Sequence, residues 1–179
     1  YDHGIPLRRI EQIINISPGA LMKIFHRMGA QLAPLIPQLE AEYRLQAVIH
    51  ADETGWRTEG KNGYVWLFCS DSISLSYVEN TRSSQIPRHV LGDLPLSGVL
   101  VVDRYAGYNR MLINIQYCFA HLLRELIALG KEFPAYKAVQ VFVSQGTPLL
   151  AQAMKLQQAI LGDEQYYIQA KSLKQLIRR

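Results

Sequence analysis

Val99-Leu100-Val101-Val102-Asp103-Arg104-Tyr105-Ala106-Gly107-Tyr108 decides how the rest of the chain is read. Four β-prone apolar residues run into an acid, after which the chain turns polar and flexible. A continuous apolar run of this length fits a strand buried on both faces, as in parallel sheet. Such a strand delivers its last residue, here Asp103, to the carboxyl edge, where open α/β sheets bind ligands. An earlier stretch does the same: residues 45–49 are mostly apolar, and Asp52 follows His50 and Ala51. Two strands that each end in a carboxylate can lie side by side, and the pair can bind a metal.

Outward from this pair, the pattern predicts a first strand from Leu45 to about Asp52 and a turn at Asn62-Gly63. Residues 64–69 are apolar at every position, which predicts a second strand buried on both faces. Ile73, Leu75 and Tyr77 alternate with serines, which predicts a third strand near a sheet edge, joined to the second by a tight hairpin at Asp71-Ser72. Residues 83–94 read as a short helix capped by Ser83 or Ser84, and residues 99–103 as the fourth strand. A loop or short helix (105–113) leads to a fifth strand at residues 116–120. Helical spacing of Leu122, Leu123, Leu126, Ile127 and Leu129 follows, with Gly130 as a terminator.

At the N-terminal end, residues 5–16 read as a helix, and Ser17-Pro18 caps a second one. These two, carrying Arg8, Arg9, Lys23 and Arg27, form either a helix-turn-helix or an ordinary helical hairpin. Pro34 and Pro37 end or kink the second helix, leaving residues 34–44 as a connector. Pro148 opens another helix, running to Ile160, that Gly162-Asp163 breaks. A last helix carries Lys171, Lys174, Arg178 and Arg179. The whole is an α/β chain: three antiparallel strands, then two parallel strands, in one mixed sheet flanked by helices. That order matches a ribonuclease H-like arrangement, in which the first and fourth strands are neighbours and Asp52 faces Asp103.

The 179 residues suffice for one ordinary domain with an appendage. Nearly half are apolar, which excludes a disordered chain. No apolar run approaches the roughly 20 residues that cross a bilayer, and the first residues lack a signal-peptide pattern. Without a starting Met, the chain reads as a piece of a longer protein. Cys69 and Cys118 sit in apolar runs and read as buried free thiols, which suits a reducing cytoplasm. A net charge of +4 suggests an acidic partner, nucleic acid first.

Two carboxylates about 4 Å apart repel by roughly 4 kcal/mol at an effective dielectric near 20, so a proton, a cation or a metal must offset them. Magnesium takes carboxylate oxygens and keeps several waters. Two such ions, held by a bridging carboxylate and flanking acids, support phosphodiester chemistry. Asp52 and Asp103 supply a bridge and one flank, and a third acid is needed. The plainer reading makes both of them strand-end turn residues.

His50-Ala51-Asp52-Glu53-Thr54, Gly63-Tyr64-Val65-Trp66, Arg82-Ser83, residues 98–108 and Cys118-Phe119-Ala120-His121 occur in one order. Together they resemble the catalytic domain of bacterial insertion-sequence DDE transposases of the IS66 type, over about residues 1–133. The opening Gly4-Ile5-Pro6-Leu7 resembles the segment before that core. The resemblance implies that Asp52 and Asp103 are the first two acids of a catalytic triad and ligands of Mg2+ or Mn2+, with two ions in the complete site. It implies a helical segment at 1–44, a partial core at 45–133 and a helical insertion at 134–179, with the third acid beyond it. Its partners would be transposon ends and target DNA, bound by a homo-oligomer.

The chain departs from the family pattern at Arg104, where glycine is usual, at Phe119 in place of tryptophan, and at Leu122-Leu123-Arg124-Glu125 in place of a basic run. Glu125, Glu132 and Glu164 are the acids in range of the missing third position. Arg57, Arg82, Arg104 and His121 are candidate DNA contacts, and Trp56 is a weaker one. His50 shares a face with Asp52 in a regular strand. The rivals are a DNA-binding module without catalysis and an all-parallel receiver-like domain, which an antiparallel first hairpin would exclude.

Overall fold

Strand β1 (Val48–Thr58) organises a five-stranded sheet with β2 (Lys61–Cys69), β3 (Ser74–Glu79), β4 (Val99–Val102) and β5 (Asn114–Tyr117), in the computed structural model of residues 6–158 and 162–177. The strand order is β3-β2-β1-β4-β5. β1–β2 and β2–β3 pair antiparallel, whereas β1–β4 and β4–β5 pair parallel. This is the mixed, ribonuclease H-like sheet that the sequence predicts, and its antiparallel first hairpin excludes the receiver-like rival.

The first hairpin is longer than its pattern suggests. β1 continues to Thr58, which pairs with Lys61 across a two-residue turn. Glu59 and Gly60 hold that turn at φ 52° and 77°, the left-handed pair whose twist matches the flanking strands. Asn62-Gly63 is therefore not the turn. Gly63 lies inside β2 because a Cβ there would stand 3.0 Å from the Trp56 carbonyl oxygen. The second hairpin falls as expected: Ser70 N–H donates to Ile73 O at 2.8 Å, and Ser70 Oγ accepts from the N–H of Ile73 at 3.2 Å.

One face of the sheet is dry. Ile49, Ala51, Trp66, Phe68, Leu75, Leu100 and Val102 are buried on it, and Tyr43, Val90, Leu91 and Tyr108 pack against them. The other face is only partly covered. Leu67 is 39% exposed, and Val99 and Val101 are half-buried. The expectation of strands dry on both sides is thus corrected. Every residue of β2 between 64 and 68 is apolar, yet only alternate ones reach the core.

Residues 34–44 are more than a connector. After α1 (Leu7–Ile14) and α2 (Pro18–Leu32), a single 3₁₀ turn over Ala33–Leu35 absorbs Pro34, and α3 (Ile36–Arg44) follows with Pro37 in its first turn. Ser17 Oγ caps α2 by accepting from the Ala20 N–H. α3 is tied to the sheet from several sides. Its Tyr43 hydroxyl donates to His50 O at 2.9 Å, and burial pushes that phenol up. Its buried Glu40 accepts from the Tyr77 hydroxyl at 2.6 Å. Its Arg44 Nε donates to Val90 O at 2.6 Å, on α4 (Gln85–Leu91).

Three helices follow β5: α5 (Phe119–Glu132), α6 (Lys137–Gln158) and α7 (Asp163–Ile177). The fifth strand is earlier than residues 116–120, so Phe119, Ala120 and His121 begin a helix. Gly130 does not end α5. A Cβ on it would lie 3.3 Å from Val143 Cγ1, and one on Gly146 would lie 3.1 Å from Leu126 Cδ1. These two glycines let α5 and α6 approach closely. That packing carries α6 straight through Pro148, against a penalty of about 3 kcal/mol for an interior proline. Ile160, Arg178, Arg179 and the opening Gly4-Ile5 lie outside the described residues.

Candidate active site

The parallel register of β1 and β4 matches Val48 with Val99, Ile49 with Leu100 and His50 with Val101. Continued by two residues, the same register sets position 52 opposite position 103. Both lie at the carboxyl edge of β4, which ends at Val102.

Alternation along β1 decides what each side chain does. Ile49 and Ala51 are buried, whereas His50 and Asp52 are exposed, so His50 shares the open face with Asp52 as expected. Asp52 Oδ1 accepts from the Glu53 N–H at 3.0 Å. Its charge adds to burial in pushing the Cys69 thiol up. Asp103 lies just past its strand. Its Oδ1 accepts from the Tyr105 N–H at 2.8 Å, an Asx turn. The turn-residue reading is therefore met at Asp103, without using up its second oxygen.

Glu53 points the other way, into the core. Its side chain is 1% exposed, and both of its oxygens are engaged. Oε1 accepts from Arg82 Nε at 2.8 Å and from Nη2 at 2.5 Å. Oε2 accepts from the Tyr108 hydroxyl at 2.7 Å. Burial pushes the Tyr108 phenol far up, helped by the bond to Glu53 and then by the charges of Glu53, Asp103 and Asp52. The bond to Glu53 likewise holds the Arg82 guanidinium above its ordinary value. That guanidinium stands 4.3 Å over the Tyr105 ring, and the Tyr105 hydroxyl donates to Arg82 O. Arg82 Nη2 lies 3.9 Å from Asp103 Oδ2.

Arg82, read from sequence as a DNA contact, thus has Glu53 as its first partner. Arg104 Nη1 lies 3.7 Å from Glu125 Oε2 on α5 in an exposed pair that contributes little to stability. Arg57 is exposed on β1 toward the hairpin turn, opposite Asn62. His121 sits in the first turn of α5 with its Nδ1 buried and unpartnered. The network of Glu53, Tyr105 and Tyr108 escapes sequence reasoning as chemistry. Its only signal is the Tyr-x-x-Tyr spacing after Asp103.

A family model described as "Transposase IS66 family" matches residues 1–178. The chain belongs to the IS66 transposase family. No curated protein matches it. Among solved structures, this IS66-family chain is similar to a chain of a simian T-cell lymphotropic virus intasome in complex with the PP2A regulatory subunit B56 gamma. That match has a TM-score of 0.33 and 11% identity, over 55% of this chain and 48% of that one. The chain thus spans about half the length of that neighbour. It is also similar to the HTLV-2 integrase catalytic core domain in complex with magnesium, in its trimeric form. That match has a TM-score of 0.31 and 7% identity, over 56% of this chain and 81% of that one.

Divalent-metal chemistry can be tested against the donors present. Asp52 and Asp103 offer hard carboxylate oxygens at one sheet edge, which suits a magnesium-type ion that takes one or two carboxylates and otherwise water or phosphate. Among the described residues, no group of three or more His, Cys, Asp or Glu is placed to hold a metal. Glu125, Glu132 and Glu164 belong to no such group. No helix among the described residues is long and apolar enough to cross a membrane.

Proposed function

We propose that this chain supplies two of the carboxylates of a DDE transposase active site, Asp52 and Asp103, for phosphodiester cleavage and strand transfer at transposon ends. The parallel register that sets position 52 opposite position 103 carries this reading. Asp52 presents an exposed carboxylate, and Asp103 Oδ2 stands 3.9 Å from Arg82 Nη2, beyond hydrogen-bond reach. Bound Mg2+ or Mn2+ would activate a water or a 3′-hydroxyl and stabilise the departing oxygen. The protein's part is to fix where the two carboxylates point, through the Asx turn at Asp103 and the strand alternation at Asp52. Two-ion chemistry needs a further donor beside these two. DNA is the partner this chemistry requires, and the basic balance of the chain suits it.

The test is strand transfer by the full-length protein carrying Asp103→Asn. Activity should fall by more than the roughly 10–100-fold that outer partners of a metal site carry. Unchanged activity overturns the assignment. The incomplete donor set also favours a second reading, a DNA-binding module without catalysis. Salt-dependent DNA binding that ignores both Asp52→Asn and added magnesium, with no strand transfer, would select it.

A further inference from the structure

Arg82 stands between two carboxylates and belongs mainly to one. It gives Glu53 Oε1 two hydrogen bonds, at 2.8 and 2.5 Å, whereas Asp103 Oδ2 is 3.9 Å away, beyond hydrogen-bond reach. Burial explains the preference. The Glu53 side chain is 1% exposed and that of Asp103 is 23% exposed. A buried carboxylate left unpaired is far more costly than one that water still reaches. Tyr105 holds the guanidinium from its other face, and Tyr108 fills the second oxygen of Glu53.

We propose that Glu53 is a positioning residue that holds Arg82 out of hydrogen-bond reach of Asp103, so that Asp103 Oδ2 can take a divalent cation. Without this restraint the nearest fixed cation, Arg82, moves onto Asp103 and competes with the metal. The sequence places Glu53 directly after Asp52, so strand alternation turns one acid outward to the ligand side and the next inward to the restraining side. This proposal rests on the two-aspartate reading of the site.

The experiment is direct Mn2+ binding to the full-length protein, followed by isothermal titration and by the electron paramagnetic resonance of free Mn2+, without DNA or turnover. Glu53→Gln should weaken Mn2+ binding about tenfold or more, because the freed guanidinium and the ion compete for one carboxylate. The double variant Glu53→Gln with Arg82→Gln should return binding to near the wild-type value, because the competitor is gone. A merely structural ion pair predicts the opposite, with the double variant as weak as Glu53→Gln or weaker. That outcome, or unchanged binding in Glu53→Gln, overturns the proposal. If Glu53→Gln loses its helical circular dichroism, Arg82→Gln alone decides: unchanged or tighter binding supports the proposal, and binding about tenfold weaker overturns it. Asp103→Asn is the control for the underlying site. If it leaves Mn2+ binding unchanged, the two-aspartate reading fails. If it weakens binding while the Glu53 series behaves as a structural pair, only the positioning role fails.

Discussion

A Cβ on Gly107 would stand 2.1 Å from Cε1 and 2.7 Å from Cζ of Tyr105. That ring is not free to swing aside. It lies under Arg82, donates to Arg82 O, and meets Tyr108 edge-on at 5.7 Å. Gly107→Ala should therefore displace Tyr105 and cost about 1–3 kcal/mol, the usual range for overpacking a filled site. Urea unfolding of the variant against wild type measures this, and an unchanged midpoint would contradict it. At this scale the sequence showed where positions 52 and 103 fall on the sheet, because each follows an apolar strand-forming run. It was silent about Glu53. A carboxylate inside a core runs against ordinary expectation, and its partners Arg82 and Tyr108 are distant along the chain. The roles of Tyr105 and Tyr108 were equally hidden, since aromatic residues after a strand suit many loops.

At the scale of single elements, the close approach of β4 to the segment entering β1 depends on Gly98. A Cβ there would sit 2.5 Å from Gln46 O and 3.0 Å from Ala47 O. Both are backbone atoms, and Val99 N–H donates to that same Ala47 oxygen at 2.9 Å. Gly98→Ala should push β4 away from β1 and lower the thermal midpoint by several degrees, as expected for a loss of about 1–3 kcal/mol. Differential scanning calorimetry checks it. The strand types and the parallel or antiparallel sense of each pairing were readable from residue patterns. Boundaries were less so, for identifiable reasons. Gly63 resembled a turn residue but serves a close backbone approach, while Glu59 supplied the left-handed turn position that glycine or asparagine more often fills. Gly130 and Pro148 resembled helix punctuation, but the packing of α5 on α6 overrides both.

Across the molecule, the main buried cluster among the described residues lies between Tyr43 and Tyr108. Neither α5 nor α7 contributes a buried residue. The sheet and α3 should therefore be the last to open, and the three C-terminal helices should open first. Native-state amide exchange tests this: Ile49, Phe68 and Leu100 should exchange far more slowly than amides in the middle of α7. Uniform protection of both regions would contradict it. The sequence could not reveal this division, because the helical apolar faces of α5 and α6 look as core-forming as the strands do. Only the structure shows that they pack mainly on each other.

The pairing of β1 with β4 has a kinetic consequence. The meander from β1 to β3 joins neighbours in sequence through two tight turns, so it can assemble locally and fast. Matching Val48 with Val99 instead closes a loop of roughly fifty residues, which carries the larger entropic cost. Positions 52 and 103 therefore come opposite each other only when this distant closure is complete. Nascent chains that have made their first hairpins still lack the carboxylate pair proposed for the site.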